Sequence, residues 1–526
     1  MRGTADTTAC LGTQRMNITP FIPVREVIVY CPNSGIWNAL TPALKQRFFM
    51  CYWSEERIRR HVAMLAAFGF NAVQVSVVGQ MPRNAGQSME EWVRRVKLQI
   101  AAAREHGMTI TQFVWGNAIS AVGEGFSDPH PIQDWHQPEH RDALHREWER
   151  SARAIGAKVD RMVTHWCDPG GATAGCPECS IRSAVEMHNA IMEHFRAVNP
   201  GIEGYFSNWM LYPGNKSYGH GWPGYDGVQS IVGDPAFDPA SGVAIGIMNC
   251  GSDGVRQDPF GILHGGDLRL IRDAGRKAAV WSWYLTDMEI QPAIHVHTNL
   301  LQNYFRGLPP ETGGTLAWHT VDDCSSGLNM HNLFIAGRLM QDPDLDARAL
   351  LREYAEGYVG RAAAPALVRA LDAIEHARCR SLRYSIKVGD PNEALRGDAP
   401  GTDELPATWA DEGLAMVRSA RKELAGTALP SGHQTAWPVS LAPCEFLPEL
   451  AAHLKSVEQM LDFLKAAGDM RRTFMVDTDS AENEAAIAAL PEVDYDPAHT
   501  AGLERQAYEQ HLPACQREWR EREATR

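Results

Sequence analysis

No stretch of the chain reaches the roughly 18 to 20 consecutive apolar residues that a membrane helix needs, and Met1 to Pro20 has no hydrophobic signal core. A cytoplasmic protein without membrane contact is the expectation. Positive charge is scarce too: 50 Lys+Arg face 64 Asp+Glu, giving a formal net charge of -14, and no local basic patch reverses that field. Nucleic acid is therefore not an expected partner. The one dense charge run, Arg517 to Arg526, mixes signs and reads as a solvated helix end. Cysteine is sparse, with 11 in 526 residues, and an odd number cannot all pair internally, so most are expected to be reduced. Disorder is excluded by 44% hydrophobic and 22% charged residues, enough apolar surface for a full core.

From Arg47 onward, short β-rich runs alternate with amphipathic helical stretches, as parallel strands joined by helical crossovers require. The strand candidates are Arg47 to Trp53, Asn71 to Val78, Met108 to Gly116, Val159 to Trp166, Gly204 to Leu211, Val243 to Asn249, Ala278 to Leu285 and Thr315 to Val321. Helices stand between them, for example after the N-cap candidate Ser54, or over Met89 to His106 with Gly107 as terminator. The pattern predicts an α/β fold, a (β/α)8 TIM barrel over residues 47–340, close to the roughly 250 residues such a barrel takes. Residues 1–46 form an N-terminal extension whose run Glu26 to Tyr30 could cap the barrel floor or serve as an alternative first strand. After residue 340 the texture turns to Ala, Leu, Glu and Arg at helical spacing, which predicts an α-helical C-terminal domain over 341–526.

Active sites of such barrels lie at the C-terminal strand ends, where the loops converge. Those ends are rich in Trp, Asn, His and carboxylates: Trp115, His165, Trp166, Asp168, Asn208, Trp209, Trp283, Asp287, His319, Asp322 and Asp323. Indole faces offer an apolar platform to a sugar ring while amides and carboxylates fix its hydroxyls, so a small carbohydrate is the expected substrate. The competing reading is that the tryptophans fill the core. Glycosidic cleavage needs one carboxyl to protonate the leaving oxygen and usually a second as base or nucleophile. Asp168 is the candidate acid and Asp322 or Asp323 its partner, with Asp287 and Glu289 as further candidates. Each could equally be a helix cap or a surface charge. The segment Tyr212 to Ala240 is longer than a connector needs and could act as a lid or reach across a homodimer, or simply pack on the surface.

Two other barrel chemistries are disfavoured. Lys158 and Lys277 stand before their strands, at the rim opposite to where a Schiff-base lysine belongs, and no Gly-rich phosphate cradle follows the seventh strand. The segment Cys176-Pro177-Glu178-Cys179, with Cys167 and His165 upstream, admits a structural zinc at Cys167, Cys176 and Cys179, a disulfide, or free thiols; no cofactor is the favoured expectation.

The run His165-Trp166-Cys167-Asp168 with its following C-x2-C, the strand Trp281-Ser282-Trp283-Tyr284, and the sequence from Asn332 to Leu339 resemble the α-glucuronidase and β-N-acetylhexosaminidase-like glycoside hydrolases. Glu353 to Gly360 is similar to the start of the helical region that follows the barrel in that superfamily. The resemblance implies an exo-acting glycosidase with its acid after the fourth strand, at Asp168. The chain departs from the pattern there: hexosaminidases carry an adjacent Asp-Glu pair, whereas Asp168 precedes Pro169, and the α-glucuronidase-like members use glutamate. Two rival expectations stand beside the hydrolase: a non-hydrolytic carbohydrate-binding barrel, and a metal-dependent lyase or isomerase using His165, Cys167, Cys176 and Cys179.

Overall fold

A computed structural model describes residues 21–28, 50–77, 87–118, 133–166, 178–208, 222–248, 265–283, 296–308, 316–320, 327–381, 409–429 and 433–474, with positions 43, 46, 47, 176, 211 and 294. Eight parallel strands run in chain order: β1 (Arg25–Ile28), β2 (Ala72–Ser76), β3 (Thr109–Trp115), β4 (Arg161–His165), β5 (Glu203–Ser207), β6 (Gly242–Met248), β7 (Ala278–Trp283) and β8 (Leu316–Thr320). Each pairs with the next, and β8 pairs back to β1 through Arg25 with Ala317 and Glu26 with Trp318, which closes the ring. The helices that share it are α1 (Glu55–Phe68), α2 (Met89–Glu105), α3 (Pro138–Ile155), α4 (Ile181–Val198), α5 (Gln229–Val232), α6 (Gly265–Asp273), α7 (Thr298–Gly307) and α8 (Met330–Leu339).

One sequence expectation is overturned here. Arg47 to Trp53 is not a strand: Met50–Tyr52 forms a 3-10 turn, closed by the Trp53 amide donating to the Met50 carbonyl. The run is diverted because its polar anchors lie elsewhere. The Arg47 guanidinium donates to Glu449 (3.0 Å) and to the Glu445 carbonyl, and Ser54 immediately caps α1 by accepting from the Arg57 amide (3.3 Å). The first strand is Arg25–Ile28, inside the segment read as an extension, so the barrel begins at least 22 residues earlier than residue 47.

Local chemistry sets the helix limits. Ser54 and Ser88 cap α1 and α2, and Gly69 ends α1 at a left-handed φ of 105° that a side chain would strain. The polar inner face is laid down at the barrel floor. Glu26 accepts from Gln74 (3.1 Å) and from the Thr111 hydroxyl, with Arg161 3.8 Å away; Gln74, Thr111 and Arg161 stand in register on adjacent strands. Outside the ring, Thr164 meets His188 of α4 (2.8 Å), so Arg161, Val163 and His165 point to the axis.

Among the described residues four helices follow: α9 (Ala347–Val359), α10 (Ala364–Ser381), α11 (Trp409–Ala425) and α12 (Pro443–Phe474). They are joined to the barrel layer by an aromatic cluster in which Phe334 of α8 stacks on Trp437 (5.1 Å between centroids) and meets Phe68 of α1 edge-on (5.2 Å). Tyr354 of α9 packs against Phe334, Trp437 and Tyr358, whose hydroxyl donates to the Leu441 carbonyl (2.8 Å). The helix expected over Leu503 to Trp519 lies outside the described residues.

Candidate functional site

The upper inner face of the barrel is built by β3, β4 and β5. Trp115 and His165 are in register, with ring centroids 5.5 Å apart, and Phe113 lies beneath both at 4.9 and 5.4 Å. Trp115 is half-buried, while His165 is only 3% exposed. Burial pushes the His165 pKa well below the ordinary histidine value, so the imidazole is neutral and can both donate and accept. Ser207 ends β5, and Asn208 follows it, donating from Nδ2 to the Tyr225 hydroxyl (3.2 Å). Burial raises Tyr225 to about 12, which keeps that phenol protonated. A neutral imidazole beside an indole suits an uncharged polyhydroxyl ligand better than an anion.

Strand carbonyls at this rim run out of ladder partners, and outer side chains supply them. The Trp92 indole donates to the Ser76 carbonyl (2.9 Å), Arg150 to Val77 (3.0 Å), the Trp148 indole to Trp115 (3.2 Å) and the Trp166 indole to Ser207 (2.7 Å). Three tryptophans thus serve as carbonyl partners behind the strands. Trp166, expected in the sugar subsite, is one of them and must be reassigned. It is fully buried, packed on Phe206 and Trp222 at 5.1 Å each, and lies so close over Gly116 that a Cβ there would meet its ring at 2.4 Å. Its side chain faces away from the axis because it follows the inward His165 by one residue.

The remaining sequence candidates divide plainly. Trp115, His165 and Asn208 are brought to one end of the barrel. Trp283 is the last residue of β7, and His319 lies on β8 opposite Ser282; their side chains lie outside the described residues, as do Asp168, Trp209, Asp287, Asp322 and Asp323 and Cys167. The long segment before β6 is not simply a lid. Trp222, Tyr225, Val228, Ile231 and Phe237 are buried, so its second half belongs to the core, while Tyr218 and His220 lie outside the described residues.

Cys176 and Cys179 form a disulfide with Cα atoms 5.2 Å apart. His165 does not join them in a potential ligand cluster; His136 does, with the ligand atoms of all three within 4.8 Å of one another. That histidine was missed because it lies 40 residues upstream, in the loop after β3, where nothing in the linear pattern ties it to the C-x2-C. Ser207 and Tyr225 were also missed as neighbours of the mouth; only the strand register and the fold-back of the long segment bring them there.

No family model matches the chain, and no curated protein does. Among solved structures, the chains it resembles are glycoside hydrolases. One is a GH138 enzyme targeting pectin rhamnogalacturonan II, with TM-score 0.55 and 10% identity over 90% of this chain and 61% of that one. Another is a family GH115 4-O-methyl-α-glucuronidase with specificity for decorated arabinogalactans, with TM-score 0.52 and 12% identity over 93% of this chain and 62% of the other. The chain thus spans less than two thirds of either relative, and the likeness is one of fold.

Proposed function

We propose that the chain is an exo-acting glycoside hydrolase whose barrel binds a sugar at the mouth beside Trp115 and His165, with Asn208 buried behind the rim on Tyr225 as a support, and with a helical C-terminal domain packed against the barrel. Asp168, Asp322 and Asp323 are the carboxyl candidates. The observation that carries the reading is the half-buried Trp115 ring held beside the buried, neutral His165 at the end of the inner face where barrel enzymes place substrate. The neighbours named above are an enzyme targeting pectin rhamnogalacturonan II and one with specificity for decorated arabinogalactans, which puts glycosides from those two polymers in the substrate search, the uncharged sugars first because the imidazole beside Trp115 is neutral.

In this reading Asp168, three residues beyond His165 on the chain, donates a proton to the leaving oxygen, and a carboxylate after β8 activates water or attacks the anomeric carbon. Trp115 stacks on the sugar ring, and His165 hydrogen-bonds a hydroxyl without adding charge. The test is a panel of aryl glycosides and pectin or arabinogalactan oligosaccharides. Asp168→Asn is expected to lower kcat by three or more orders of magnitude with an unchanged melting temperature, and Trp115→Ala to raise KM about tenfold or more. Undiminished turnover by Asp168→Asn removes that residue from the chemistry. Sugar binding without turnover across the panel replaces the hydrolase with a carbohydrate-binding barrel.

A further inference from the structure

The loop after β3 and the segment leading into α4 meet on one platform. The His136 backbone amide donates to Asp134 (2.9 Å), whose other carboxylate oxygen accepts from Gln137 (2.9 Å). The neighbouring Trp135 indole donates to Glu186 of α4 (3.2 Å), and the His136 ring Nε2 lies 3.2 Å from the Ser183 hydroxyl of the same helix. On the other side, the Cys179 amide donates to the Cys176 carbonyl (3.2 Å), and Ser180, next in the chain, donates its amide to Ser183 as α4 begins. The first turns of α4 therefore hold all three donors. Both sulfurs are buried while the imidazole is exposed, so the cluster is open to solvent from one side only.

We propose that His136, Cys176 and Cys179 form a redox-gated zinc site. In the oxidised chain the two sulfurs are joined. A dithiol reductant gives the disulfide two electrons and two protons, leaving itself as a cyclic disulfide and the chain with two thiols. A Zn2+ ion then displaces both thiol protons to solvent, binding two thiolates and the lone pair of one His136 ring nitrogen. The two thiolates balance its charge, and a water takes the fourth tetrahedral position. Two sulfurs and one imidazole are the donor set zinc prefers, and its bond lengths place tetrahedral donors about 3.5 to 3.8 Å apart. Atoms already within 4.8 Å need only side-chain rotation to reach that spacing. Cys179 also directly precedes Ser180, the N-cap of the 18-residue α4, whose positive end favours an ionised thiol there. Sulfur–sulfur closure staples the segment between β4 and α4 only to itself, whereas zinc would also bridge it through His136 to the loop after β3. The site stands whether or not the mouth cleaves glycosides.

The experiment uses the full chain, reduced with dithiothreitol and freed of it anaerobically, then titrated with zinc chloride or cobalt chloride alone. Reduced wild type is expected to bind one more equivalent of zinc than the Cys176→Ser/Cys179→Ser variant, and to give a thiolate-to-cobalt charge-transfer band. Oxidised wild type is expected to match the variant. His136→Gln, at an exposed position that should not disturb folding, is expected to weaken zinc at least tenfold. Equal stoichiometry in reduced wild type and the double variant overturns the site, as does unchanged affinity in His136→Gln. Should the double variant fail to fold, the absence of the charge-transfer band from reduced wild type overturns it instead.

Discussion

Glu26 is a carboxyl sealed inside the barrel floor. Burial raises its pKa to about 7, and the hydrogen bonds from Thr111 and Gln74 with the Arg161 charge only partly oppose that rise. An unfolded glutamate titrates near 4.3. Below that pH both states hold the proton; between it and about 7 only the folded state does. The stabilisation is therefore complete in acid and lost as pH rises through about 7. Glu26→Gln is expected to flatten the fall in melting temperature between about pH 4.5 and 7, relative to wild type. Parallel melting curves for the two proteins across that range would show that Glu26 does not titrate there. Glu375, which accepts from the Asn299 amide (2.7 Å) and is likewise raised to about 7, contributes a slope of the same sign in both proteins and cancels from the comparison.

At the scale of elements, the closest approaches are made by glycine. Gly337 of α8 lies against the end of α1, where an added Cβ would stand 2.3 Å from the Phe68 carbonyl oxygen. That obstacle is backbone and cannot swing aside. Gly337→Ala is expected to destabilise the chain by about 1 to 3 kcal/mol by forcing the two helices apart, read from urea unfolding; a loss under 0.5 kcal/mol would mean that the contact relaxes freely. The element map was largely legible in the sequence because seven of the strands are apolar runs bounded by turn residues and their helices carry ordinary caps, as at Ser54 and Ser88. The first strand was legible only as an alternative, the run Glu26 to Tyr30, because its short apolar stretch competed with the equally strand-like Arg47 to Trp53. Its place is set by the Asn71 side chain accepting from the Arg25 amide and by pairing with a strand almost 300 residues away. The site was legible less evenly. That Trp115 and His165 stand side by side at the strand ends follows from the strand reading and the two-residue period. Trp166 was misread because a tryptophan that satisfies a rim carbonyl and one that meets a sugar look alike in sequence. His136 carried no local signal at all.

Across the whole molecule, the barrel and the following helices share one aromatic junction around Trp437. A Cβ at Gly357 would meet its ring at 2.2 Å, and Phe68, Phe334 and Tyr354 surround it. Because strands and helices draw on the same contacts, they are expected to unfold together. Trp437→Ala should remove about 2 to 3 kcal/mol, less than a fully buried tryptophan because the ring is only partly covered. Far-ultraviolet dichroism and intrinsic fluorescence should still report one shared midpoint; two separate midpoints in the wild type would show that the junction does not couple the parts.

The indole of Trp166 nails the end of β4 to the neighbouring strand. Asp168 comes two residues later, and two residues of extended chain reach at most about 7 Å. If Asp168 is the acid of the proposed hydrolase, that limit leaves it little room to meet a bond elsewhere on the rim. On that reading a substrate would have to bring its scissile oxygen to that corner of the barrel, so how deep a sugar chain can enter would decide where it is cut.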